Sequence, residues 1–173
     1  MEILERRQTL MKLKRIILSG IFLGILSLNA YTGPFTNIGD GTVLDQKSGL
    51  VWQRCGFGQG SVGDSYTDCS AGTANLVSWT AALTYCNTLN LAGVGGWRLP
   101  SVKELVSLVD YSKTASPFIN QTFFPNSADS YWTSTTHPSS GGFKNQAYQV
   151  VFTSGTYDTF DKTSSLVRVR CVR

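Results

Sequence analysis

"GGWRLPSVKEL" (residues 95–105) decides how this chain is read. The two glycines end a preceding helix, and Trp97-Arg98-Leu99 is too short for anything but an extended link. Alternation sends Trp97 and Leu99 to one side and Arg98 to the other. Pro100 pushes Leu99 away from helical angles. Ser101 then opens a helix, and Ser101-x-x-Glu104 is a capping box. Trp97, Arg98, Leu99, Pro100, Ser101 and Glu104 thus each have a structural task. Arg98 alone is a candidate for chemistry. Interior arginines are nearly always paired, so the expectation is a buried or half-buried ion pair with Glu104 or Asp110. The stretch reads as a hinge rather than a catalytic loop.

Upstream of the hinge, Ser78 is a candidate N-cap. Trp79, Ala82, Leu83 and Cys86 form one apolar stripe of a helix that Gly93, Gly95 and Gly96 should stop. Downstream, Val102, Leu105, Val106 and Val109 form the stripe of a second helix. The flanks are β in pattern. "TVLDQKSGLVWQR" (42–54) reads as a hairpin, "SYWTST" (130–135) as a short strand, and "AYQVVFTSGTYDTF" (147–160) alternates around a turn at Ser154-Gly155. "LVRVRCVR" (166–173) predicts a last strand with Val167, Val169 and Cys171 on one face and Arg168 and Arg170 on the other. Residues 55–75, rich in Gly, Ser and Asp, form a long loop.

The four cysteines follow from these faces. Cys86 on the helix stripe and Cys171 on the apolar strand face both point inward and pair, leaving Cys55 with Cys69. An even cysteine count fits an oxidising compartment. Zinc is disfavoured, because there is no CxxC pair and His137 is the one histidine.

"MKLKRIILSGIFLGILSLNA" (11–30) has a basic start, an apolar run of Ile16 to Leu28 and a terminal Ala30, the pattern of a signal peptide. The expected organisation is a signal peptide over 1–30 with a true start at Met11, a short segment over 31–41, and one domain over 42–173. The apolar run is shorter than the roughly 20 residues that span a bilayer. An uncleaved anchor is the alternative. Without residues 1–30 the chain has ten Lys+Arg and nine Asp+Glu, a net of +1 instead of +4. Bulk attraction to nucleic acid is therefore not implied, and any anion site must be local.

"GLVWQRC" (49–55), Trp79-x-x-Ala82, "YCNTLNLAGVGGWRLPSVKEL" (85–105), "INQTFFP" (119–125), "YWTSTT" (131–136), "AYQVVF" (147–152) and "VRCVR" (169–173) occur in that order. Together they resemble the C-terminal domain family of the Legionella collagen-like adhesin (Lcl_C). The resemblance implies an α+β, C-type-lectin-like domain related to formylglycine-generating-enzyme folds, with two helices packed on a small, mostly antiparallel sheet and stapled by disulfides. It also implies export to the cell surface, the periplasm or beyond, and adhesion to sulfated polysaccharide as a trimer. This sequence lacks Gly-X-Y repeats, so it does not itself support trimerisation.

Enzymatic readings find little purchase. A Ser-His-Asp triad would need His137, a lone loop histidine. Two-carboxylate glycoside hydrolysis is poorly served by one mature glutamate, Glu104, already assigned to a cap. With all thiols paired, no reactive cysteine is expected. "GVGGW" stands between helix and extended link, the wrong order for a dinucleotide fingerprint. Calcium-type lectin triplets are absent. Asp64 and Asp68 fit no calcium loop and read as turn residues. No cofactor or metal is expected.

Binding without metal remains. Arg168 and Arg170, with Arg173, Lys162 and Lys144 nearby, are the candidate anion or glycan residues, since arginine forks suit sulfate and carboxylate groups. The alternative pairs these arginines with Asp158 and Asp161. Tyr157, with Phe143 and Tyr148, is a candidate for stacking on sugar rings or for packing into the core. The expected function is an exported, non-enzymatic module that binds a glycan or another surface. A structural or protein-interaction module of the envelope is the second reading, and an enzyme the third.

Overall fold

The computed structural model describes residues 34–60, 68–138 and 142–173. All belong to the compact unit Thr32–Arg173. The signal-peptide reading of 1–30 and the candidate Asp64 lie outside the described residues. Among the described residues no helix is long and apolar enough to cross a membrane.

Two three-stranded antiparallel sheets and two short helices make a small α+β domain. In the first sheet β1 (Phe35–Asn37), β2 (Thr42–Asp45) and β3 (Val51–Gln53) follow chain order. The expected hairpin is present, with Val43 opposite Trp52. Asp45 closes its turn by accepting from the Lys47 amide (2.9 Å) and the Ser48 hydroxyl (2.5 Å). In the second sheet β4 (Ser130–Thr136), β5 (Gln146–Val151) and β6 (Thr156–Asp161) are also in chain order. The β5–β6 turn requires glycine. Gly155 sits at φ +71°, and a Cβ there would meet the Phe118 side chain at 3.2 Å.

Helix α1 (Trp79–Thr88) starts where expected, with Ser78 accepting from the Ala81 amide, and buries Ala82 and Cys86. It ends earlier than its glycines suggest. Leu89 leaves the helix, and Leu91 and Val94 bond each other across a tight turn through Ala92 and Gly93, both at positive φ. Helix α2 (Val102–Val106) carries the expected capping box but lasts five residues. Val109, expected on its stripe, lies past its end, in a bridge to Ile119.

The chain terminus departs most from expectation. Alternation predicts a strand with one wet face, but residues 167–172 instead form single bridges to four partners. Val167 meets Val77, Arg168 meets Tyr131, and Val172 meets both Trp52 and Arg98. Val51 and Arg173 exchange backbone hydrogen bonds at 2.9 Å, as do Arg98 and Val172 at 2.8 and 2.9 Å. The terminus thus stitches β3, β4 and the hinge together, and is covered on both sides. One apolar cluster, including Trp52, Leu105 and Phe124, contains Val172. The other, including Ala82, Trp97 and Trp132, contains Val167, Val169 and Cys171.

Both disulfides have the expected pairing, Cys55–Cys69 and Cys86–Cys171. The second ties α1 to the terminus across 85 residues of sequence.

Candidate functional site

The hinge residues lie as the alternation rule requires. Trp97 and Leu99 are buried, while Arg98 points the other way. Arg98 pairs with Glu104, not Asp110, through a two-pronged contact of 2.8 and 2.6 Å. Of the two expected environments the half-buried one is found, since the Arg98 side chain is 46% exposed and that of Glu104 24%. A fork donating to a carboxylate needs no dry interior to hold its geometry. The Glu104 carboxylate also accepts from the Ser101 amide and hydroxyl. The Arg98 guanidinium, with the Ser101 donors, draws its pKa down to about 2.

The proposed arginine stripe does not exist as a surface. Arg170 is 0% exposed and lies between rings, its guanidinium 4.9 Å from the Phe124 centroid and 5.1 Å from that of Tyr131. Its Nη2 donates to the Arg54 carbonyl (3.1 Å) and the Ser127 hydroxyl (2.8 Å). Burial pushes its pKa down. Arg170 is therefore removed from the ligand-binding set, because the strand face that carries it is covered by Phe124 and Tyr131. Arg54, which the sequence reading passed over, is also buried, and it donates to the Phe123 carbonyl at 3.0 Å.

The remaining basic candidates do not gather into one patch. Arg168, its side chain 23% exposed, pairs with Asp129 at 3.1 Å and donates to the Asn126 carbonyl. Its partner is thus neither Asp158 nor Asp161. Arg173 lies over the Trp97 ring and Lys162 over Trp79, at 5.5 and 4.8 Å. Lys162 also approaches the Lys144 carbonyl at 3.5 Å, so of the five basic residues these two share a locality. Asp158 accepts from Gln149, and Asp161 from Thr163 and Asn145. Asp68 caps its own turn by accepting from the Ser70 amide, the turn role expected of it.

Tyr157 belongs to a different kind of surface. The β5–β6 register places Val150 opposite Tyr157 and Tyr148 opposite Thr159, so both tyrosines stand on the sheet face that carries Val150. Val150 is buried in the cluster that contains Leu105 of α2. The helix ends after five residues and leaves the rest of that face open. The result is a groove of about 560 Å³ with Tyr148 and Tyr157 in its lining. Val102, Lys103 and Val106 of α2 contribute on one side, and Thr135, Thr136 and Pro138 at the end of β4 on the other. Tyr157 is 55% exposed, and the two phenol rings lie 6.2 Å apart at 56°. Next to Tyr148 come the His137 ring, at 6.1 Å, and beyond it Phe143, at 5.4 Å from His137.

The hinge sets the width of this groove. The Ser134 amide donates to the Pro100 carbonyl at 2.7 Å, and the Val102 amide to the Thr135 hydroxyl at 3.0 Å. These bonds clamp the start of α2 onto β4, while Glu104 holds Ser101 from within the helix. The sequence signal for the groove was present in the alternation of 147–160, but not the short helix that uncovers it.

Chemically, the groove offers phenol rings, aliphatic walls, hydroxyls and one ammonium. All four cysteines are in disulfides, and no cysteine is free. Among the described residues, no three His, Cys, Asp or Glu side chains come close enough to hold a metal ion.

The profile of the Lcl C-terminal domain family matches residues 41–173. The chain belongs to the Lcl C-terminal domain family. No curated protein matches it at a significant level. The Lcl C-terminal match covers β2 to β6, both helices and both disulfides, and leaves β1 outside it. The paired cysteines and an adhesin-type family together mark an exported protein.

Proposed function

We propose that this Lcl C-terminal domain is an exported, lectin-like binding module that recognises polysaccharide on a host or envelope surface through the Tyr148–Tyr157 groove, without catalysis. One observation carries the reading. Two tyrosines on one sheet face, beside a helix too short to cover them, line an open groove rimmed by hydroxyls. Exposed aromatic rings with an apolar face and a polar tip suit ligands that are themselves part apolar and part hydroxylated. A C-type-lectin-like fold belongs to the same proposal.

A non-enzymatic role is in keeping with how the chemically capable groups are used. The thiols are consumed in disulfides, and Glu104 is engaged by Arg98 and Ser101. A protein-interaction module is the second reading, favoured by Tyr111 and Leu166, which stand 69% and 66% exposed outside the groove.

A glycan and matrix-protein array probed with the oxidised protein tests the proposal. Signals on glycans that vanish in a Tyr148→Ala/Tyr157→Ala double variant are expected. Signals confined to matrix proteins, and unchanged in that variant, would contradict it.

A further inference from the structure

Resting on the polysaccharide reading, we infer that the groove takes uncharged hexopyranose units, laid with their C–H faces on the Tyr148 and Tyr157 rings, rather than sulfated sugars. Charge complementarity carries the argument. Of the groove's lining, Lys103 is the one charged side chain. Recognition of sulfate draws on arginine forks whose donors are available to the anion. None of the described arginines lines the groove: Arg98 pairs with Glu104 and Arg168 with Asp129, Arg170 and Arg54 are buried, and Arg173 lies over Trp97. On β6, Asp161 shares the face of Tyr157 and is exposed, and it repels a polyanion running along that face.

What the groove does offer matches an uncharged sugar. The electron-rich face of a phenol ring attracts the weakly positive C–H groups that line one face of a pyranose. The Tyr148 and Tyr157 rings are inclined at 56°, so they form a trough instead of a flat platform. Such a trough suits successive sugar units that are twisted about their linkage. Neither phenol hydroxyl is committed to a neighbour among the described residues, and the Thr136 side chain stands exposed beside them, so neutral hydroxyls ring the trough. Hydroxyl-to-hydroxyl bonding orients a sugar without requiring a net charge on either side.

The test compares matched polymers with and without sulfate. Dextran, laminarin, mannan and galactan are run against dextran sulfate and heparin in affinity electrophoresis of the full chain, at low and at high salt. Retardation by a neutral polymer, indifferent to salt, is expected. Tyr157→Ala and Tyr148→Ala should each weaken it by roughly tenfold or more, while Tyr157→Phe, which keeps the ring, retains most of it. Thermal melts confirm that the variants fold. Retardation by the sulfated polymers alone, relieved by salt and indifferent to both alanine variants, would overturn the inference and leave the polysaccharide reading standing. A folded protein retarded by none of the six polymers would overturn both.

Discussion

The hinge and the chain terminus each carry an arginine between apolar neighbours, yet their environments are opposite. Arg98, between Trp97 and Leu99, stands half in solvent and grips Glu104. Arg170, between Val169 and Cys171, is 0% exposed, has no carboxylate partner among the described residues, and lies between two aromatic rings. The difference comes from how many layers cover each segment. The hinge runs along the outside of the domain with one face down. The terminus runs through the middle, bridging β3, β4 and the hinge. The first arginine therefore trims a local joint, and the second is built into the packing of the core.

That contrast can be broken or sharpened by substitution. The largest effect belongs to the terminus. Replacing Cys86 and Cys171 by alanine releases an 85-residue loop and should cost about 4–5 kcal/mol, against about 3 kcal/mol for the 14-residue loop of Cys55 and Cys69. Urea denaturation without reductant reads both, and equal losses would deny the terminus its special place. Arg170→Ala comes next, at about 3 kcal/mol, because it empties the space between Phe124 and Tyr131 and strands the Ser127 hydroxyl and Arg54 carbonyl. Arg170→Met keeps much of the volume and should lose less than half as much, as buried charges often yield to apolar residues of similar size.

Arg98→Ala should cost no more than about 1 kcal/mol, since the pair is half in water. It should leave ligand affinity per folded molecule unchanged, because the Pro100–Ser134 and Thr135–Val102 bonds still hold α2. The same pair has a pH signature. The Glu104 carboxyl titrates at about 2 in the folded chain, below its ordinary 4.5. A depressed carboxyl contributes stability that is complete above the unfolded value and is lost as pH falls from about 4.5 towards 2. Arg98→Met should flatten the stability profile in that window and leave it unaltered between about pH 5 and 8. A profile equally steep in the variant would detach Glu104 from Arg98. The smallest effect on stability is that of Tyr157→Ala, within about 0.5 kcal/mol for so exposed a side chain.

Much of the scaffold was legible because local chemistry specifies it. The capping box at Ser101, the hairpin turns and the inward faces of Cys86 and Cys171 are each written in a few adjacent residues. Arg170 was not legible, since period-two alternation says which residues share a face but not whether that face is covered. A terminal run of valines broken only by arginines and a cysteine is also how a strand buried on both sides can read. The groove was half legible. Tyr148 and Tyr157 stood among the aromatic candidates, but alternation alone left stacking and core packing open; their exposure depends on α2 stopping at Val106, and the apolar stripe through Val109 suggested a longer helix. The partner of Arg168 was missed because Asp129 precedes β4, well away in sequence from the hairpin acids considered for it.

The central claim is that the arginine signatures build the scaffold while recognition belongs to the tyrosine trough. Amide and aromatic chemical-shift mapping of the folded chain, titrated with a neutral polysaccharide it binds, tests this most directly. The account predicts perturbations confined to the groove, at residues 102–106, 135–138, Tyr148 and Tyr157, with Arg168, Arg170 and Arg173 undisturbed. Shifts centred on Arg168 and Arg173, with Tyr148 and Tyr157 silent, would contradict it.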